Sequence, residues 1–300
     1  MKRMSLLTLL LCALAPRFSA FSDQPMMMWR IGKDGHAAHL VGSIHMGTSS
    51  LYPLPAPMTD ALLESTEVLF EVNPAELNQD FNSRLYKVGR LPAGENLRDL
   101  LDPAMRKQYE ATLKRIQAPI NSADECKPWL AALMITFSAN MRSMDALSIN
   151  HGIDRYFTGM AKQLGKPVRG LETAEDQLNL LASLDGSVGL EFLGKTLDEV
   201  DNLESIINRM VTAWKTGDTA ALEKVVDESF ADYPDMRRSW LADRNRAWSA
   251  TIADLLARDG KPFIVVGAAH CVGPDSLPEL LRTAGFNVEQ AALPDPAAAP

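Results

Sequence analysis

Phe263-Ile264-Val265-Val266-Gly267-Ala268-Ala269-His270-Cys271-Val272-Gly273 is the stretch on which the reading of the fold turns. A short apolar run rich in β-branched residues and closed by glycine reads as a strand buried on both faces. Such strands belong to parallel sheets. A matching stretch lies near the other end of the chain, where His39-Leu40-Val41 leads into Gly42-Ser43-Ile44-His45 and then Met46-Gly47. Each unit runs on through a Leu/Pro loop and a short amphipathic helix to another apolar strand. Glycine three positions before each histidine permits a sharp turn or a close approach at the strand end. Histidines at the mouths of parallel strands sit where open α/β sheets bind their ligands. Two of them point to one shared site.

Outward from the first unit, residues 28–45 read as a β-hairpin. Its turn is Lys33-Asp34-Gly35-His36, with Asp-Gly supplying the positive-φ positions. A Pro-rich loop at 51–57 and a short helix over 59–66 lead to the strand Val68-Leu69-Phe70-Glu71-Val72-Asn73, in which Glu71 is the sole charge. Residues 75–160 have apolar positions at helical spacing, broken at Pro92, Pro103, Pro119 and Pro128. A strand over 166–172 ends at Glu172-Thr173. A second helical tract, 174–258, is interrupted at Asp185-Gly186, Gly217-Asp218 and Tyr233-Pro234. A strand at 263–266, a helix at 276–283 stopped by Gly285, and a strand at 286–290 complete the pattern. The class is α/β: a central mixed sheet built from sequence-distant strands, flanked by helices, with two large helical insertions and pseudo-symmetric strand–Gly-x-x-His units. No Pro/Gly/Ser linker divides the chain, so residues 23–293 are expected to form a single domain, followed by a disordered Ala/Pro tail at 294–300.

Residues 1–22 have the composition of a secretory leader: Lys2 and Arg3, an apolar stretch over 6–15, the breaker Pro16, and small residues at Ala20 and Ser22. Cleavage after Ser22 would place the chain in the periplasm or outside the cell. It would remove three basic residues and no acid, taking the formal net charge from −8 to −11. That balance argues against nucleic acid and anionic membranes as partners. No later stretch is apolar enough to cross a bilayer. Cys126 and Cys271 remain, and spacing does not decide whether they pair.

Five residues stand out chemically. His45 and His270 offer imidazoles for a borderline metal or for proton transfer. Glu71, a carboxylate inside an apolar strand, is costly to bury without a partner and fits a metal ligand or general base. Glu172 ends its strand in the same way, while Thr173 three positions before Asp176 also reads as a helix cap. Arg244 lies in an Arg-Asn-Arg helical segment. It either faces solvent or turns inward to neutralise a carboxylate or a developing oxyanion. Cys271 reads as a small buried hydrophobe. Zincin, serine-hydrolase and nucleotide-loop motifs are absent from the sequence.

In this order, Gly42–His45, Glu71, Lys127-Pro128-Trp129, Gly170–Gln177, Arg244-Asn245 and Gly267–His270 resemble the TraB/PrgY/GumN family over about residues 28–290. That family includes the Tiki proteins, membrane-associated metalloproteases that trim a secreted signalling protein. It also includes bacterial members linked to pheromone shutdown or exopolysaccharide clusters. The resemblance implies a fold similar to the erythromycin-esterase and ChaN-like proteins. It implies a divalent cation, Mn²⁺ or Co²⁺ with Zn²⁺ as an alternative, held by His45, Glu71 and His270, with Arg244 assisting. The chain is therefore expected to be an exported form without the membrane anchor of the animal members. The expectation is an exported metal-dependent hydrolase acting on a peptide or protein. The rivals are a non-catalytic binder of a peptide or haem-like ligand and a protein associated with polysaccharide biosynthesis.

Overall fold

The structure is a computed structural model that describes residues 24–33, 35–117, 123–140, 148–258 and 260–293. The expected leader, the 294–300 tail, Asp34 and Pro119 lie outside the described residues. Six strands form one sheet: β1 (Pro25–Lys33), β2 (His36–Ser43), β3 (Glu67–Val72), β4 (Val168–Glu172), β5 (Pro262–Gly267) and β6 (Asn287–Ala292), in the order β4-β3-β5-β2-β1-β6. β1 pairs antiparallel with β2 and with β6, while β2, β5, β3 and β4 run parallel to one another. The fold is therefore α/β with a mixed sheet.

The centre of the sheet is the stretch with which the sequence reading began. Phe263, Ile264, Val265 and Val266 are all at most 1% exposed, because β5 has strands on both edges and packed layers on both faces. Helices cover the sheet and share its core: Trp214, Trp248, Phe157 and Ile252 pack with Met27, Leu40 and Leu69. A second apolar cluster lies in the helical tracts, around Trp129, Tyr109, Leu113 and Leu193.

Local signals explain most boundaries. Pro103 and Pro128 stand at the first position of their helices, where a missing N–H costs nothing. Asp102 caps the helix Pro103–Ile116 through Ala104 N and Met105 N. Gly217 takes a left-handed φ of 64° to end Leu203–Thr216, and Asp218 caps the next helix. Two expectations shift. The helix placed at 59–66 is Ala56–Glu64, entered through Pro55. The last strand is Asn287–Ala292, displaced because its register is set by pairing with β1. Among the described residues, no helix is long and apolar enough to cross a membrane.

Candidate functional site at the strand ends

The register explains why the Gly-x-x-His unit occurs twice. β2 and β5 are adjacent parallel strands, with Gly42 opposite Val266 and Ser43 opposite Gly267. The two motifs therefore leave the sheet side by side, one residue out of step. β3 and β4 lie on the other side of β5, so Glu71 and Glu172 emerge at the same end. The four carboxyl ends carry, in spatial order, Glu172, Glu71, His270 and His45.

Arg244 joins three of them. A π-helical turn, Arg238–Ala242, feeds the helix Asp243–Leu256 and aims Arg244 inward. All five guanidinium N–H donors are used. Nε donates to Glu172 Oε2 (3.0 Å), and Nη2 donates to Glu172 Oε1 and Glu71 Oε2 (both 2.8 Å). Nη1 donates to the Trp240 carbonyl (3.0 Å) and lies 3.1 Å from His270 Nε2. Arg246, two positions on, faces outward to Asp243 and Asp275.

His270 is buried because β5 ends in a tight turn, Ala268–Cys271, that tucks the ring beneath Asn245. Its Nδ1 lies 2.6 Å from Asn245 Oδ1. The Asn245 amide nitrogen faces two carbonyls, those of Asp275 and His270, so the amide oxygen must face the ring. An amide oxygen only accepts, so Nδ1 carries the proton and Nε2 presents its lone pair. Burial, with Arg244 and His45 adding to it, lowers the His270 pKa to about 4 against the pull of Glu71. The ring is neutral at pH 7. Trp248 packs against the ring in a tilted contact at 4.5 Å and lies under the Arg244 guanidinium at 4.4 Å. Burial alone would push Glu71 up. The positive charges of a protonated His270, Arg244 and His45, with the Gly267 N–H, outweigh it and bring the pKa to about 2. That N–H lies 2.6 Å from Glu71 Oε1.

The ordered motifs and this strand-end cluster agree with a profile match. The TraB/PrgY/gumN sequence profile matches residues 27–290. The chain belongs to this family. YbaP of Escherichia coli (strain K12) is 25% identical over 244 residues, covering 81% of this chain and 87% of that protein. The zebrafish (Danio rerio) metalloprotease TIKI1 is 23% identical over 319 residues, covering 89% of this chain and 63% of that protein. Human metalloprotease TIKI1 is 22% identical, with 64% of its length covered. No solved structure matches the chain.

His45 stands apart from the other family-motif residues. Its side chain is 67% exposed, and its Nδ1 lies 3.3 Å from Asp154 Oδ2. Asp154 raises the His45 pKa. His45 and Glu71 line one cavity of about 370 Å³, together with Ser43, Phe70, Leu77 and Asp154. Glu172 is both strand end and neighbour of a cap: Thr173 and Asp176 form a reciprocal capping box. Cys126 and Cys271 are both buried and form no disulfide with each other. Cys271 closes the Ala268–Cys271 turn and is buried in the core, as its reading as a small hydrophobe expects.

The donor types fit a divalent cation: a neutral imidazole with an oriented lone pair and an ionised carboxylate, His270 Nε2 to Glu71 Oε1 3.9 Å. They do not form a closed cage here. Among the described residues, no three His, Cys, Asp or Glu side chains converge to hold an ion. Arg244 is bonded to both donors. Asp154, Trp248 and the orienting role of Asn245 are not among the candidates that the sequence singles out. Trp248 is four residues from Arg244 on one helix face, a spacing that could have revealed it. Asp154 carries no local signal.

Proposed function

We propose that the chain is an exported, metal-dependent hydrolase of peptide bonds, with its chemistry at the carboxyl ends of β2, β5, β3 and β4. The observation that carries this reading is the His270–Glu71 pair. One imidazole is held in the tautomer that offers Nε2, beside a carboxylate that stays ionised and lines a cavity of about 370 Å³. Two carboxylates face one guanidinium there, leaving one negative charge for a cation to neutralise. The names of the TIKI relatives point to the same class of chemistry.

In this reading, His270, Glu71 and His45 hold the ion. A bound divalent cation supplies Lewis acidity for attack on a carbonyl. Glu172 fixes the guanidinium plane by two parallel bonds. Arg244, once it releases His270, has a donor free for negative charge developing on the carbonyl oxygen. With a pKa near 2, Glu71 is a weak proton acceptor, which favours a holding role. Trp248 and Asn245 keep the His270 ring in place.

The test is elemental analysis of the purified protein, followed by digestion of a peptide library with added Mn²⁺ or Co²⁺. The wild type is expected to take up about one ion and to cleave. His270→Ala and Glu71→Gln are expected to lose both properties while remaining folded. Wild-type cleavage that persists undiminished in both variants would sink the reading.

A further inference from the structure

Both histidines of the repeated motif are met at Nδ1 by a side-chain oxygen that comes from outside the sheet. For His270 the oxygen is Asn245 Oδ1, from the helix Asp243–Leu256. For His45 it is Asp154 Oδ2, from the first turn of the helix Ile153–Gln163. We infer that Asp154 is the positioning residue of His45, holding its ring with Nε2 turned to the cavity it shares with Glu71.

The placement of Asp154 is built into the backbone on both sides of His45. Ile153 N donates to the Ile44 carbonyl at 2.9 Å, and Gly47 and Ser148 exchange two backbone bonds, at 3.2 and 2.9 Å. Tyr52 Oη donates to the carbonyls of His151 and Gly152. Gly152 is packed so closely on the His45 carbonyl that a Cβ there would overlap it. The segment 148–154 is therefore clamped to the motif, and the first helical turn delivers Asp154 to the ring at 31% side-chain exposure. A mobile surface ion pair would not need this frame. The second carboxylate oxygen, Oδ1, is buried and has no partner among the described residues. Asp154 is thus kept in place at the cost of an unsatisfied acceptor, a cost that functional sites tolerate. Carboxylate–imidazole pairs of this kind set the tautomer and the orientation of a working histidine.

The inference rests on the hydrolase reading for what His45 does, but not for how it is held. ¹⁵N-histidine NMR of the purified full chain, with His45 assigned by His45→Gln, reads the tautomer directly and needs no turnover. At a pH above the His45 titration, the wild type is expected to show Nδ1 protonated and Nε2 free. Asp154→Ala is expected to move most of the His45 population to the Nε2–H form. Asp154→Asn, which keeps an acceptor oxygen as Asn245 does for His270, is expected to retain the wild-type signature. Where cleavage is measurable, Asp154→Ala should lower kcat about 10- to 100-fold with less change in KM. Asp154→Asn should recover most of that loss. A wild-type tautomer in Asp154→Ala, or an Asp154→Asn spectrum identical to that of Asp154→Ala, overturns the inference. A wild type that cleaves nothing but shows the tautomer switch leaves the inference standing and removes the hydrolase reading.

Discussion

His45 and His270 begin as copies of one motif and end in opposite environments. His270 is 5% exposed, neutral, packed against Trp248 and bonded to an amide. His45 is 67% exposed and faces a carboxylate that favours its protonated form. The difference starts one residue after the motif glycines. β5 closes into the turn Ala268–Cys271, whereas β2 runs out along the segment that pairs Gly47 with Ser148. The lesson is that a repeated tetrapeptide marks a place in the sheet, while the partners brought by distant helices assign the role.

The sharpest break in the comparison should come from removing the charge that holds the buried half together. Arg244→Met leaves Glu71 and Glu172 unpaired in the interior and is expected to cost about 3 to 5 kcal/mol in urea unfolding. A loss below about 1 kcal/mol would mean that water reaches both carboxylates.

Acid titration sharpens the same contrast. Below pH 6.5 the unfolded chain protonates His270's imidazole, but the folded ring resists until about pH 4. The unfolded state binds more protons in that window, so stability falls as pH drops through it, by about 3 kcal/mol at most. Glu71 carries the fall further, from its ordinary 4.5 down to about 2. His45 has the reverse sign: its raised pKa contributes most below 6.5, and the contribution fades as pH rises through the raised value. Exposure to water makes that contribution small. Chemical denaturation across pH 3–10 should show the acid slope flattened in His270→Gln and nearly unchanged in His45→Gln.

Gly152→Ala tests the frame of the exposed half. Its Cβ would overlap the His45 carbonyl, a backbone atom that cannot step aside, so about 1 to 3 kcal/mol is expected. Gly42→Ala should cost less, since its close approaches, Met27 Cγ at 2.9 Å and the Ala268 Cα at 3.1 Å, are milder than the overlap at Gly152. Thermal melts of the two variants decide the order. The smallest effect belongs to His45→Ala, expected within about 0.5 kcal/mol of wild type even where activity is lost. A larger destabilisation would show that His45 carries structure as well.

Much of this could be read from the chain alone. The apolar run 263–266, the Asp-Gly turn, the proline and Asp caps and the lone charge in β3 are local signals, because burial on two faces, φ restriction and missing N–H groups act within a few residues. They pointed to the α/β class, to the strands and to His45, Glu71 and His270 at one sheet end; that Arg244 turns inward to join Glu172, Glu71 and His270 came only from the packing. Spacing was silent about which imidazole would be neutral, because burial and partner charge set a pKa and both come from segments more than twenty residues away. Asn245 and Asp154 reach their histidines from helices, and the one-residue stagger between β2 and β5 appears only when the strands pair. The sequence by itself marked two histidines and Glu71 at the strand ends; packing decided which groups join them, which are charged, which are shielded and which face the cavity, since desolvation and contact exist only in three dimensions.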